Sequence, residues 1–567
     1  MKSLTRHTIV LTTLVFTLAA LPVSAATFTV TSSADSGPGT LRERIENDIG
    51  NNDTVVFDAG VTHITLTSGA ITIGNNGTAV DGGGTVTIDG NSYDRILHTE
   101  RGSLQIIGLT LTNGVAPSGG AIMASGGGTI SLVSNCVIAH CEATTGAGGG
   151  FWQKKGFFSI VDCVFSNCTA AGYGGAIARH GTSSQETVLP IERCTFAYNH
   201  AGTTGGAIDN GDRQYSLSIR DCTFHHNTSG GDGGAIYHRI WDGQVAWNQE
   251  LIEDSTFYAN SATNSGGAVY FYLASGRAVL RNCTISGNRA LTGGGGGLCL
   301  PGAPKLGAYN CTIVSNDAAT VGGGVRIDGG GMHALVNTII VGNTLNGTTA
   351  DDLYVDGSAY RVLANCITNV VADSGTKLVT TGCKGGDPLL GPLADNGGLG
   401  MTHELLAGSP AIEAGAPHGL ALRDYWGYVA DVSELTGVST ENTDDSGYLH
   451  LSVVTNTSHL QASIEIYKDS ARTELVAHTD DTWTSSGSHE TASLAIVADG
   501  ASGLGGTITV DRNAVITARD NSIRVELLEY DQRGDPYARV LGSVSDIGAY
   551  EAEPPSAPPS GTVILLR

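Results

Sequence analysis

The chain has 567 residues, of which 80 are glycine and 15% are charged, and its formal net charge is −24. Glycine at about twice its usual share of roughly 7%, without the three-residue period of collagen, indicates many tight turns between short strands. A hydrophobic content of 41% excludes a disordered chain. The acidic balance argues against nucleic acid as a partner, because like charges repel.

The N-terminus has the pattern of a secretory signal peptide. Two basic residues at positions 2 and 6 precede an apolar run that ends at Leu21, and a small-residue cleavage site follows. We expect cleavage after Ala25, with cleavage after Ala26 as the alternative. Residues 1–25 are therefore assigned to the signal peptide. The mature protein is expected to be exported, to the extracellular space or to the cell envelope or outer-membrane surface, without a membrane-spanning segment.

Residues 26–118 are predicted to form an N-terminal cap and the first coils of a solenoid. The segment LRERIENDI (41–49) predicts a short amphipathic helix, and a solenoid needs such an element to cover its open apolar end. Between Thr54 and Asn113 the apolar residues alternate with polar ones, which is typical of strands.

Residues 119–384 carry an internal repeat of about 29 residues. A Gly-Gly-small-apolar element begins at Gly119 and recurs along this region, and a Cys-Thr-Phe/Ile-x-x-Asn element lies between its copies. Side chains alternate along a strand, so the cysteine and the aromatic residue face one side. Stacking coils roughly 4.7–4.9 Å apart buries that side. The sequence therefore predicts an all-β chain with a right-handed parallel β-helix.

Stacked coils place equivalent residues in columns. The cysteines are expected to act as small buried apolar groups, and the asparagines to satisfy each other's amides from coil to coil. The predicted structural ladder consists of Cys136, Cys163, Cys194, Cys222, Cys283, Cys311, Asn199, Asn227, Asn260, Asn288 and Asn316.

The C-terminal third is predicted to contain two interleaved parts. Residues 385–423 and 531–552 form C-terminal coils, and residues 424–530 alternate in a way that predicts an inserted β-sandwich-like domain. A proline-rich tail covers 553–567. The acidic segment TENTDDSG is expected to form an ordinary solvated turn, and calcium binding through its oxygen ligands is the alternative. We therefore expect no cofactor and assign no metal ligands.

Three parts of the chain resemble known families. FTVTSSADSGPGTLRERI, followed by VTIDGN and LTLTNG, resembles the start of bacterial secreted β-helix proteins with the CSLREA-type motif. The GGAI and FxxN elements resemble repeats of chlamydial polymorphic outer membrane proteins. The segment Gly386–Gly415, continued at Asp531–Glu551, resembles the choice-of-anchor region of bacterial surface proteins. These resemblances imply a pectin lyase-like β-helix and, where such proteins have an assigned role, adhesion.

The sequence thus favours a non-catalytic adhesin, binding or envelope protein whose partner is a glycan or a surface protein. Exposed aromatic residues beside polar groups suit such contacts, and the predicted binding residues are Tyr237, His238, Arg239, Trp241 and Trp247. The alternative is an extracellular polysaccharide lyase or hydrolase, which needs clustered carboxylates on a groove of the β-helix. The carboxylates predicted for that role are Asp209, Asp212 and Asp232.

Overall fold

The computed structural model describes residues 25–415 apart from short gaps, and ten separate segments after them. The gaps are residues 155, 157, 181–186, 212–214, 241–248, 274–276, 303–304, 329–331, 357–359, 374–377 and 399. The later segments are 421–423, 435–436, 448–455, 461–468, 474–479, 483–484, 491–500, 502–511, 523–526 and 548–549. The predicted signal peptide up to residue 24 and the proline-rich tail lie outside the described residues.

Most of the described residues form a parallel β-solenoid with three sheets, A, B and C, of which sheet C begins at Val115. Almost all pairs between neighbouring coils are parallel and in register, such as Ile236 with Val269. Each strand alternates between a side chain that enters the solenoid and one that faces outward. The interior is one continuous apolar cluster that runs from Val30 to Cys366.

Within the described part of the chain, sheet A has 24 strands, sheet B twelve and sheet C ten. The strands of sheet A are Thr27–Val30, Thr54–Phe57, His63–Thr65, Thr78–Asp89, Ser103–Thr112, Thr129–Ser134, Val137–Ala139, Ser159–Val161, Val164–Ser166, Thr187–Glu192, Thr195–Ala197, Tyr215–Arg220, Thr223–His225, Gln249–Glu253, Thr256–Tyr258, Arg277–Arg281, Thr284–Ser286, Lys305–Tyr309, Thr312–Val314, Met332–Val336, Ile339–Val341, Tyr360–Ala364, Ile367–Thr368 and Leu378–Thr381. Those of sheet B are Ile71–Ile73, Leu97–Thr99, Ile122–Ala124, Phe151–Gln153, Ile177–Arg179, Ile208–Asn210, Ile236–Ile240, Val269–Leu273, Leu298–Leu300, Val325–Asp328, Leu353–Asp356 and Val371–Asp373. Those of sheet C are Val115–Ala116, Glu142–Ala143, Thr169–Ala170, His200–Ala201, Thr228–Ser229, Ser261–Ala262, Arg289–Ala290, Asp317–Ala318, Thr344–Leu345 and Thr349–Ala350.

A column of buried asparagines joins consecutive coils at the turn between sheets A and C. The side-chain amide of Asn227 donates to Oδ1 of Asn260 over 2.9 Å, and its backbone N–H donates to the same oxygen over 3.0 Å. The same amide also donates to the carbonyl oxygen of Phe196, in the preceding coil. The pattern repeats from Asn199 to Asn343. It ends where Asp352 accepts from Asn343.

The cysteine and aromatic columns fill the interior beside the asparagines. The rings of Phe196, Phe224 and Phe257 stack with centroids 4.7 Å apart. The backbone N–H of Cys194 donates to the sulfur of Cys222, and burial raises the pKa of Cys283 well above its ordinary value. None of the eleven cysteines, all of which lie in the described part of the chain, forms a disulfide bond. Those in the interior therefore pack as small neutral groups.

The second glycine of each Gly-Gly pair is required by the close approach of coils. A Cβ on Gly234 would lie 2.0 Å from the carbonyl oxygen of Gly267, in the next coil. Gly206 and Gly267 are confined in the same way by the coils that follow them. Any larger residue would push neighbouring coils apart.

A short helix covers the N-terminal end of the solenoid. It consists of one α-helical turn, Leu41–Glu43, followed by a π-helical turn, Arg44–Asp48. Asp35 holds it to the first coils, because its carboxylate binds Arg42 and accepts the backbone N–H groups of Thr67 and Ser68. Burial alone would raise the pKa of Asp35, but the hydrogen bonds from Ser68, Arg42 and Thr67 lower it well below its usual range.

Two antiparallel units follow the solenoid in sequence. Strands Leu390–Ala394 and Thr402–Leu405 form a hairpin that packs on the outer face of sheet A, where His403 contacts Ser286. Nine further strands are antiparallel: Ala421–Arg423, Leu435–Thr436, Tyr448–Thr455, Gln461–Tyr467, Leu475–Thr479, Trp483–Thr484, Thr491–Ala498, Gly505–Asp511 and Ile523–Glu526. The first pairs with the last, so the antiparallel strands begin before the predicted boundary at residue 424. Among the described residues, no helix is long and apolar enough to span a membrane.

Candidate functional site

The outer face of sheet B carries the chemistry-bearing side chains singled out in the sequence. Register places one outward residue of each coil in a single column: Ala178, Asp209, Tyr237, Tyr270, Cys299, Arg326 and Tyr354. A second column, formed by the residue before each Gly-Gly pair, borders the first: Tyr173, Thr204, Asp232 and Ser265. We call the two columns and the side chains that contact them the sheet-B surface.

Asp209 and His180 form a side-chain hydrogen bond between neighbouring coils. Nε2 of His180 lies 2.7 Å from Oδ1 of Asp209, and the hydroxyl of Thr204 donates to the other carboxylate oxygen. The carboxylate is fully buried, whereas the imidazole is 32% exposed. Tyr173 stacks on this imidazole with ring centroids 5.0 Å apart. A buried carboxylate thus fixes the orientation of a histidine that reaches the surface.

Two stacked tyrosines continue the column beside this pair. The rings of Tyr237 and Tyr270 are 5.3 Å apart and inclined by 12°. Burial raises the pKa of Tyr237, and the charges of Asp209 and Asp232 act in the same direction against the lowering effect of Arg239. Burial also raises the pKa of Tyr270. Both phenols are therefore neutral hydrogen-bond donors at physiological pH.

Charged groups border the tyrosines on both sides. Asp232 accepts the backbone N–H of Ser265 over 3.0 Å, and burial raises its pKa. Arg326 binds both carboxylate oxygens of Asp328, at 3.1 and 2.8 Å. Gly294 provides the space for this arginine, since a Cβ there would lie 2.7 Å from Cδ of Arg326.

The predicted site residues separate into three groups. The predicted residues that belong to the sheet-B surface are Asp209, Asp232, Tyr237 and Arg239. Asp212, Trp241 and Trp247 lie outside the described residues, as does the acidic segment TENTDDSG. His238 is buried, so its placement on an exposed loop requires correction.

The correction for His238 has a simple cause. Strand Ile236–Ile240 extends beyond the repeat motif, and alternation turns the third residue inward. There Nδ1 of His238 lies 3.0 Å from the carbonyl oxygen of Asn210. It belongs to an inward polar column with Gln153, Arg179 and Asn210.

Sequence reasoning missed His180, Thr204, Tyr270 and Arg326. For Tyr270 and Arg326 the signal was the offset from the Gly-Gly pair, because the fourth residue after the first glycine faces outward on sheet B; His180 and Thr204 lie at other offsets. That rule selects Asp209, Tyr237 and Tyr270 directly. No group of three or more metal-ligating His, Cys, Asp or Glu side chains occurs in the described ranges.

Comparisons with known proteins give one family match and one distant structural match. A family model described as "Chlamydia polymorphic membrane protein (Chlamydia_PMP) repeat" matches residues 221–239 and 254–272. A solved structure titled as a mannuronic acid specific polysaccharide family 6 lyase enzyme from human gut microbiota is 12% identical, with a TM-score of 0.28. The match covers 62% of this chain and 83% of that chain. No curated protein matches. The chain is therefore a β-helix protein that carries repeats of the polymorphic membrane protein type.

Proposed function

We propose that the protein is exported to the cell surface or envelope and binds a glycan along the sheet-B surface. The observation that carries this proposal is the stacked pair Tyr237 and Tyr270 beside the His180–Asp209 pair. Aromatic rings pack against the apolar faces of sugars, while neutral phenols and oriented charged groups bind hydroxyls. The match to a repeat of a membrane protein family supports the location.

The charge of the surface favours a neutral glycan. Asp209, Asp232 and Asp328 outnumber the two arginines Arg239 and Arg326, and the chain as a whole carries −24. Polyuronates would be repelled by such a surface. Because coils repeat every roughly 4.7–4.9 Å, a linear chain that lies along the solenoid axis meets a new outward residue at each coil.

The test is binding of the purified mature protein to neutral and acidic polysaccharides, measured by calorimetry. We expect a neutral polysaccharide to bind, and Tyr237→Ser and Tyr270→Ser each to weaken binding by about 2–10-fold, since one stacking contact contributes about 0.5–1.5 kcal/mol. Tyr93→Ser is the matched control, because Tyr93 is 67% exposed and lies elsewhere. Binding that survives both tyrosine changes would refute the assignment of this surface.

The second candidate is cleavage of the glycan at the same surface. The observation that favours it is the His180–Asp209 pair, which has the geometry of a base oriented by a carboxylate. The assay follows new reducing ends and unsaturated sugar products, with and without calcium. Cleavage that is lost in His180→Asn and in Asp209→Asn would replace the binding function by a catalytic one. Absence of products on every polysaccharide that binds would exclude cleavage of those polysaccharides.

A further inference from the structure

Four aromatic side chains form a separate cluster on the outer face of sheet A. His225 is the last residue of strand Thr223–His225, and His226 follows it at the corner. Tyr198 comes from the preceding coil and Tyr258 from the next. None of the four belongs to the sheet-B surface, and the glycan proposal makes no use of them.

The backbone at His226 brings two consecutive histidines together. In a continuous strand, neighbouring side chains point to opposite faces. His226 instead has a φ of 54°, in the left-handed region, which turns the chain so that both imidazoles lie outside. Their Nδ1 atoms are 3.0 Å apart, and the rings are inclined by 89°.

Two tyrosines hold this arrangement in place. Tyr198 stacks on His226, with centroids 4.8 Å apart and an inclination of 21°. Tyr258 stacks on His225, at 4.9 Å and 8°. Each imidazole is thus packed on one face by a phenol ring and faces the other imidazole edge-on, so that the two Nδ1 atoms converge before any ligand arrives.

We propose that His225 and His226 bind one divalent transition-metal ion through their Nδ1 atoms, Cu²⁺ most tightly. Metal–nitrogen bonds of about 2.0–2.1 Å would join both atoms to one ion. With the nitrogens 3.0 Å apart, the angle at that ion is about 91–97°. That angle suits the cis positions of tetragonal Cu²⁺ or Ni²⁺ rather than tetrahedral Zn²⁺, and Cu²⁺ binds nitrogen ligands most strongly in the divalent series.

The remaining coordination positions belong to water or a small ligand. No third His, Cys, Asp or Glu joins these two histidines among the described residues. Both rings carry their proton on Nε2 in the complex, because each Nδ1 supplies a lone pair. The 3.0 Å contact between the two Nδ1 atoms requires one of them to carry a proton when both rings are neutral, and on metal binding that proton moves through solvent to Nε2 of the same ring.

Residues at equivalent positions in other coils indicate which substitutions the fold tolerates. Ser166 and Ser286 occupy the column of His225, and Asn167 occupies the left-handed position of His226 with a φ of 53°. His225→Ser and His226→Asn therefore place residues that the fold already accepts. His200→Thr is the matched control, since Thr169 and Thr228 flank His200 in its column.

The experiment is a titration of untagged mature protein with Cu²⁺ buffered by glycine, followed by calorimetry and electron paramagnetic resonance. We expect one equivalent of Cu²⁺ with hyperfine coupling to two imidazole nitrogens. Affinity should fall by about 10–100-fold in each pair variant, because loss of a ligand costs at least as much as loss of its supporting hydrogen bond. His200→Thr should leave the affinity unchanged, and Ni²⁺ should show the same pattern with weaker binding.

Three results would overturn the metal site. They are the absence of a bound equivalent, binding that persists in the His225→Ser/His226→Asn double variant, and a spectrum with one nitrogen or none. The far-ultraviolet circular dichroism of each variant must match that of the parent, so that lost binding is not lost folding. Failure here would leave the glycan proposal untouched, because the two sites share no residue.

Discussion

The asparagine column and the sheet-B surface are built from the same coils, yet they follow opposite rules. Asn199 and the five asparagines after it occupy one inward position in six consecutive coils. On sheet B, the outward position holds different residue types in successive coils, such as Ala178, Asp209 and Tyr237. An inward residue must fit a copy of itself above and below, whereas an outward residue does not pack in the interior of the solenoid. The repeat therefore specifies the fold, and departures from it can specify binding.

Changes at inward positions should accordingly destabilise the solenoid most. The largest effect is expected for Gly234→Ala, because the new Cβ would lie 2.0 Å from the carbonyl oxygen of Gly267. Backbone atoms of a stacked coil cannot rotate away as a side chain can. We expect a loss of more than about 3 kcal/mol in the free energy of unfolding, measured by urea denaturation.

Gly287→Ala separates crowding from backbone strain. Gly287 has a φ of 66°, but nothing lies within 4 Å of its Cβ position, and Ala259 occupies the equivalent corner with a φ of 54°. We expect a loss of about 1 kcal/mol from the left-handed backbone alone. Equal losses at Gly234 and Gly287 would show that coil contact is not what selects glycine.

The next largest effect is expected for Asn260→Leu. The change removes the oxygen that accepts both the backbone N–H and the side-chain amide of Asn227. Two buried donors each lose a partner, at about 1–3 kcal/mol each. The amide of Asn227 still donates to the carbonyl oxygen of Phe196, so we expect a loss at the lower end of their sum, about 2–3 kcal/mol, by urea denaturation. Ser261→Thr is the control in the next residue, since Thr228 occupies its column. It should change stability by less than about 0.5 kcal/mol.

An effect of opposite sign is expected for Asp254→Asn. Burial raises the pKa of Asp254 to about 7, and the charges of Glu253 and Asp221 act in the same direction. Since its unfolded pKa is about 3.9, the folded state retains the proton, and stability is lost as pH rises from about 4 to 7. Asn282 occupies the same left-handed corner in the next coil. A shift of about three units corresponds to about 4 kcal/mol, so the variant should gain at most that amount at pH 8 and nothing at pH 4.

Asp162 occupies the same left-handed corner as Asp254 in an earlier coil. Its pKa is lowered instead of raised, so Asp162→Asn should destabilise the protein. The hydrogen bond from Arg193 lowers the pKa of Asp162, and both side chains are more than 40% exposed. Its removal should therefore cost at most about 1 kcal/mol at neutral pH. A gain in stability in Asp162→Asn, or a loss of stability in Asp254→Asn at pH 8, would contradict the role assigned to burial.

The inward columns of asparagine, cysteine and aromatic residues could be predicted from the sequence, because the repeat period alone defines them. A coil length near 29 residues and alternation within Cys-Thr-Phe predict which residues face inward, without reference to any contact. The sites depend instead on local geometry. His225 and His226 converge only because His226 is left-handed. Residue type does not mark this corner, since Asn167, Tyr198 and Ala259 occupy it in other coils.

Contacts between coils of unequal length could not be predicted from the sequence either. His180 reaches Asp209 across 29 residues, and the length of the intervening insertion gives no indication of which side chain crosses. The hairpin that places His403 against Ser286 joins residues 117 apart, outside any repeat. Motif matching therefore gives the scaffold, while the site needs the register of each coil against the next.

The smallest effect on stability is expected at the outward edge of the sheet-B surface. Tyr173 is 44% exposed, and the equivalent position in the next coil is Thr204. We expect Tyr173→Thr to change the free energy of unfolding by less than about 0.5 kcal/mol. Loss of its ring should release His180 and weaken glycan binding by about 2–10-fold, from a stacking contribution of about 0.5–1.5 kcal/mol. Calorimetry and urea denaturation of one preparation separate the two effects. Unchanged glycan affinity would show that Tyr173 is not part of the binding surface. A loss of stability as large as that of Asn260→Leu would contradict the difference proposed between inward and outward positions.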